Sequence, residues 1–135
     1  MSLLNRFGIF PATLALFAMC GVLALDASQP VSAKRPPFVA HLKAPTHHPK
    51  AEKPWRITIT ARSHSGKKLS GRVQYEFLHG GQVVSRQSNY TFKNGVFHDT
   101  LTWPKRSIGI KLTFRAVVTT KPGVVRLSYD VRVRR

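Results

Sequence analysis

Acidic side chains are scarce in this chain: five Asp and Glu face 22 Lys and Arg in 135 residues, a formal net charge of +17. The scarcity argues first against hydrolysis by paired carboxylates, which needs two acids aimed at one point. After residue 54 the acids are Glu76, Asp99 and Asp130. Glu76 and Asp130 take the polar parity of extended segments, as solvated positions do. Asp99 shares the parity of Phe97 and Leu101, which reads as a structural carboxylate near a sheet edge or paired with a base.

Cysteine is nearly missing as well. Cys20 is the single one, and it falls in a segment expected to be removed, so disulfides, thiolate metal sites and cysteine nucleophiles are excluded together. An exported domain without disulfides points to a bacterial origin. No helical period follows residue 54, so no glycine loop leads into a helix to cradle a phosphate, and no cofactor is expected. His98 and Asp99 are neighbours on a strand and face opposite ways, which removes a triad. His64, His79 and His98 fall in a loop, a turn and a strand, with no spacing that would gather a metal. The chain is therefore not expected to be an enzyme, and no catalytic, metal or cofactor-binding residue is assigned. Asn89-Tyr90-Thr91 has the form of a glycosylation acceptor, which carries no meaning in most bacterial proteins.

What is present begins with an address. Arg6, an uncharged run from Phe7 to Leu25 and small residues at Val31 and Ala33 make residues 1–33 a secretory signal, cut after Ala33, with Leu25 and Ala27 as a second choice of site. The rival is an uncleaved membrane anchor, because the run approaches the roughly 20 residues that span a bilayer. Pro11 and the cleavage residues favour removal, and Phe17-Ala18-Met19 before Cys20 does not suit a lipoprotein. Processing would remove Arg6 and Asp26 together, so the net charge stays at +17. Residues 34–54 are rich in proline and base and lack apolar period, so a disordered basic linker is expected there, with His41, His47 and His48 as solvated positions.

From Trp55 the period becomes two. Trp55, Ile57, Ile59 and Ala61 alternate with Arg56, Thr58, Thr60 and Arg62; Leu69, Val73, Tyr75 and Phe77 follow with Arg72, Gln74 and Glu76 between them. His79-Gly80-Gly81-Gln82 reads as a hairpin turn, a short strand covers residues 82–87, and Tyr90-Thr91-Phe92 leads to Asn94-Gly95, a strong hairpin signal. Strands over 97–103, 108–118 and 125–133 complete seven. With no helix, residues 55–135 are expected to form an all-β, two-sheet antiparallel sandwich, a small closed barrel being the runner-up.

The order of these pieces resembles the bacterial immunoglobulin-like (Ig-like) domains of exported and surface proteins. The likeness rests on Ser65-Gly66-Lys67-Lys68-Leu69-Ser70-Gly71-Arg72-Val73, on Gly80-Gly81, on Asn94-Gly95-Val96 and on Lys121-Pro122-Gly123, and it spans about residues 55–135. It implies a seven-stranded Ig-like β-sandwich serving as an adhesive, binding or spacer module. The chain departs from the family in lacking acidic calcium-holding loops and a disulfide, and in being a single copy.

Basic rows supply the candidate site. Arg126, Arg132 and Arg134 share one face of the last strand, and Lys111 and Arg115 share the outward parity of the strand before it, so a hairpin would set all five on one surface. The arginine fork suits phosphate and carboxylate. Arg56, Arg62 and Arg72 make the opposite face basic too, and a diffuse field with no focused groove is the alternative. The sequence thus points to a secreted, non-enzymatic module of the bacterial cell envelope, associating electrostatically with anionic surface polymer or a partner protein. Nucleic acid meets the charge requirement but lacks outward aromatics to stack on, and export separates the chain from cytoplasmic DNA and RNA. A structural subunit pairing sheet edges is a further reading.

Overall fold

The computed structural model describes residues 34–135. The secretory signal over 1–33 and both cleavage positions lie outside the described residues. Seven strands follow in order: β1 Val39–Lys43, β2 Pro54–Arg62, β3 Gly71–His79, β4 Gln82–Phe92, β5 Val96–Thr102, β6 Lys111–Thr120 and β7 Gly123–Arg132. They form two sheets, ordered β1-β2-β5 and β4-β3-β6-β7, and every named pairing is antiparallel. This is an Ig-like β-sandwich, not a closed barrel.

The alternation read from the sequence is the reason for two layers. On β2 the side chains of Trp55, Ile57, Ile59 and Ala61 are at most 1% exposed, while Arg56 and Arg62 face water. Val73 and Tyr75 of β3 and Phe114, Ala116 and Val118 of β6 meet them from the other sheet, all at 0%. Burying a side chain such as Ile57 or Phe114 stabilises the fold by about 1.5–3 kcal/mol relative to leaving it exposed. Trp55 packs edge-on against Trp103 at 5.5 Å and Phe114 at 5.6 Å, and Tyr75 lies 5.1 Å from Phe114. Aromatic side chains thus stitch the layers where a disulfide is lacking.

The turn at Gly80-Gly81 makes the expected β3–β4 hairpin. Asn94-Gly95 instead closes a tight turn over a single Lys93–Val96 bridge and carries the chain from β4 in one sheet to β5 in the other, so the hairpin expected there does not form. Gly80 and Gly81 have φ of 57° and 80°, and Asn94 and Gly95 have φ of 57° and 71°. Paired positive φ values twist a two-residue turn to match its strands.

Seven strands are present as expected, but two of the expected segments differ. Residues 82–87 and Tyr90–Phe92 are one strand, β4, which changes register against β3 between Val73 and Tyr75 and between Phe77 and Leu78. Such irregularities let a long strand bend without ending. The seventh strand is β1, inside the segment expected to be a disordered linker. Phe38 is 0% exposed, and Ala40 and Leu42 pack on the core while Val39, His41 and Lys43 point outward. Five alternating residues bounded by Pro36, Pro37 and Pro45 are too brief to stand out from a proline-rich background.

The rest of that segment is also ordered against the sheet. Arg132 N–H donates to His47 O, Arg134 N–H to Pro49 O and Ala51 N–H to Arg134 O, each at 2.9 Å. Proline, which has no N–H, serves here through its carbonyl. The His47 ring stacks on Tyr129 at 4.0 Å and its Nδ1–H donates to Asp130 O. Residues 47–51 therefore strap the outer edge of β7. The last two strands also shift: residues 105–107 form a 3-10 turn, and Ile108 joins Val133 by a single bridge before β6 starts at Lys111.

Candidate anion-binding surfaces and an interlayer cleft

The five residues expected to bind polyanion occupy the outer face and end of β6 and β7. Lys111 stands directly opposite Arg132, and both are exposed. Arg126 lies opposite Val117, six residues before Arg132 on the same strand. At about 3.3 Å per residue the two arginines are ~20 Å apart.

The ground between them is not purely cationic. Asp130 sits there, its Oδ1 accepting from Thr113 Oγ1 at 2.9 Å. Glu76 on β3 lies between Arg86 and Arg115, with Oε1 3.3 Å from Arg86 Nε and Oε2 3.4 Å from Arg115 Nε. The Arg86 contact is a hydrogen bond, whereas the Arg115 Nε–H is misaligned and the attraction there is purely coulombic. The Arg115 side chain is 24% exposed. Arg134 is engaged by the strap, its Nε donating to His48 O at 3.0 Å. This face therefore brings Lys111 and Arg132 together, holds Arg126 apart, and occupies Arg115 and Arg134 with internal partners.

The outer face of β1-β2-β5 has a different character. Its outward positions carry Val39, His41 and Lys43 on β1, Arg56, Thr58, Thr60 and Arg62 on β2, and His98, Thr100 and Thr102 on β5. Lys43 is paired in register with Thr58 and Thr58 with His98; Arg56 is paired with Thr100 and His41 with Thr60. Among the described residues no Asp or Glu takes an outward position on these three strands. Shallow depressions flank Arg56, one lined by Lys43, Pro45 and Thr58 and the other by Thr58, His98, Asp99 and Thr100. Thr58 Oγ1 and His98 Nδ1 share a hydrogen bond of 3.1 Å. Arg56 and Arg62 were legible in the sequence as outward bases; Lys43 and His41 were not, because β1 was hidden in the proline-rich stretch.

A third feature lies between the layers. β4 and β5 are the sheet edges on one flank of the sandwich, and a cleft of about 570 Å³ opens between them. Phe77, Tyr90, Leu101, Trp103 and Leu112 line it, and Asp99 is its one carboxylate. Asp99 takes the inward parity of β5, as its position between Phe97 and Leu101 required. Its partner is not a base. Tyr75 O–H donates to Asp99 Oδ2 at 2.7 Å and Thr100 N–H to Oδ1 at 2.8 Å. Burial pushes the Tyr75 phenol well above its ordinary range, and the hydrogen bond and negative charge of Asp99 push it the same way. Burial raises Tyr129 as well. Trp103 is 3% exposed, and its Nε1 has no acceptor among the described residues.

The histidines act singly. His64 donates to Pro36 O at 2.8 Å and His79 to Lys111 O at 3.2 Å.

No family model matches the chain, and no curated protein does. Among solved structures, an engineered protein is similar over 73% of this chain and 20% of its own, at 19% identity and a TM-score of 0.52. A D1–D4 ectodomain fragment of ICAM-5 aligns over 72% of this chain and 28% of its own, at 16% identity and a TM-score of 0.36. The chain thus spans less than a third of either structure, and the likeness to the engineered protein speaks to fold alone.

Proposed function

We propose that this protein is a secreted, non-enzymatic Ig-like binding module of the bacterial cell envelope that associates electrostatically with an anionic surface polymer. The observation that carries the reading is the outer face of β1-β2-β5, where Lys43, Arg56, Arg62, His41 and His98 stand among four threonines and no outward carboxylate. Guanidinium and hydroxyl donors at strand spacing suit repeated phosphate or carboxylate groups on an extended chain. A net charge of +17 draws such polymers over a screening length of about 8–10 Å at physiological salt. The Lys111–Arg132 pair and Arg126 are secondary contacts, because Glu76 and Asp130 interrupt the charge around them. Export rests on the signal pattern of residues 1–33, and the bacterial Ig-like family on the glycine turns of residues 65–123.

The test is retention of the full-length chain on an immobilised phosphate-bearing polysaccharide. Retention should be strong at about 20 mM salt and lost near 500 mM. Reversal of Lys43, Arg56 and Arg62 to Glu should weaken it more than reversal of Arg126 and Arg132. Equal loss from the two sets would reduce the reading to a diffuse basic surface, and tighter retention on DNA at matched salt would replace it with nucleic-acid binding.

A further inference from the structure

The two flanks of the sandwich are finished differently. On one, β1 lies beside β7 and residues 47–51 strap the β7 edge. On the other, β4 and β5 leave the 570 Å³ cleft open between the layers. Val84 is 61% exposed and Ile110 38% exposed, and both line this cleft. A volume of this size and an aromatic lining are what small-molecule sites have.

Asp99 decides what kind of occupant fits. The described residues carry far more base than acid, yet no Lys, Arg or His among them lies within ion-pair distance of Asp99. Its two hydrogen bonds, from Tyr75 and from the Thr100 N–H, hold the carboxylate in place without neutralising it. Anything that covers the cleft takes this charge out of water and must supply a cation or donors in return. A peptide strand added to the β5 edge would bury the carboxylate beneath neutral backbone, and an inward charge on an edge strand is a means of discouraging such pairing. Tyr90 and Phe77 line the same cleft, and aromatic ring faces attract an organic cation.

We infer that the cleft between β4 and β5 binds a small organic amine, with an apolar body seated among Phe77, Tyr90, Leu101 and Leu112 and its ammonium group on the Asp99 carboxylate. The site is separate from the polyanion face, and the two are tested apart. Arg106 also lines the cleft, so the ammonium is held at the Asp99 end alone.

Phenethylammonium is a suitable probe, with 3-phenylpropionate and 3-phenylpropanol as its anionic and neutral counterparts. Titration of the full-length chain, followed by tryptophan fluorescence and by amide shifts over residues 99–103, should give saturable phenethylammonium binding near millimolar Kd, about tenfold tighter than 3-phenylpropionate. Asp99→Asn should bring the two probes to equal affinity. Val84→Lys, at an exposed position that leaves the core intact, should weaken phenethylammonium several-fold and spare 3-phenylpropanol. Reversal of Lys43, Arg56 and Arg62 should leave all three unchanged. Equal binding of cation and anion by the unaltered chain, or a cation preference that survives both Asp99→Asn and Val84→Lys, would overturn the inference. So would the absence of saturable binding.

Discussion

Tyr75 and Asp99 are joined across the sandwich: the phenol of β3 in one sheet donates to the carboxylate of β5 in the other at 2.7 Å. Tyr75 is 0% exposed, so the ring is interior, while the bond it makes is part-buried at the wall of the cleft. Tyr75→Phe keeps the ring packing against Phe114 and Tyr90 and deletes the donor. Leaving a carboxylate oxygen short of its partner should cost about 1–3 kcal/mol at neutral pH, read from urea unfolding.

The same pair sets a response to alkali. Because the folded-state pKa of Tyr75 is raised, its contribution is fully present below the ordinary tyrosine value of about 10 and is lost as pH rises above it. Above about pH 10 the unfolded chain releases this proton and the folded chain does not, so stability should fall by about 1.4 kcal/mol per pH unit from this group. The Tyr75→Phe variant lacks that component, and its stability curve should converge on that of the unaltered chain. Parallel curves from pH 8 to about 11.5 would contradict this account. Tyr129, raised by burial, acts equally in both.

Phe38 makes the proline-rich segment part of the domain. It is 0% exposed in the shared core, ahead of the point where the alternating pattern begins. Phe38→Ala should cost about 3–5 kcal/mol. A chain beginning at Trp55 loses Phe38, β1 and the strap on β7 together, and should show no cooperative thermal transition. Recovery of the full-length midpoint by that shorter chain would return the segment to the status of a linker.

That segment shows where the sequence was legible and where it was not. Alternation is visible when several apolar residues of one parity stand in a row, as Trp55, Ile57, Ile59 and Ala61 do, and turns are visible when two residues must both take positive φ, as Asn94-Gly95 does. β1 offers only Ala40 and Leu42 as its inward pair, and its order is imposed by neighbours: Ala40 is paired with Ala61 and Leu42 with Ile59. The strap on β7 has no sequence signature, since its bonds run through carbonyls of His47 and Pro49 that any residue possesses. Outward parity of the β6 and β7 bases was equally readable. The neutralisation of Arg115 was not, because Glu76 meets it through strand order, which parity does not specify.

Glu76 gives a prediction on that point. It spans β4, β3 and β6 by holding Arg86 and Arg115, with its own side chain 12% exposed. Glu76→Gln leaves two like charges facing one another, and Arg115 is too enclosed for water to screen it fully. A loss of about 1–2 kcal/mol is expected, at the upper end for a partly exposed pair. The loss should shrink as salt is raised from about 50 mM to 1 M, since screening shortens the reach of the arginine repulsion. A salt-independent loss would assign the effect to packing.

Gly71, the second glycine of the loop that carries the Ig-like resemblance, has a steric reason to be there. It opens β3 opposite Thr120, and a Cβ at this position would fall 2.0 Å from the backbone oxygen of Thr119. The neighbour is β6 backbone in the middle of the sheet, so it cannot rotate aside as a side chain would. Gly71→Ala must therefore push β3 and β6 apart at their Thr119 end, costing about 1–3 kcal/mol as other forced overpacking does. Amide exchange should quicken first at residues 71–73 and 118–120 while the paired residues 55–58 of β2 stay protected. Uniform quickening across the domain would mean that the strain is not local, and unchanged stability would mean that the strands do not approach this closely.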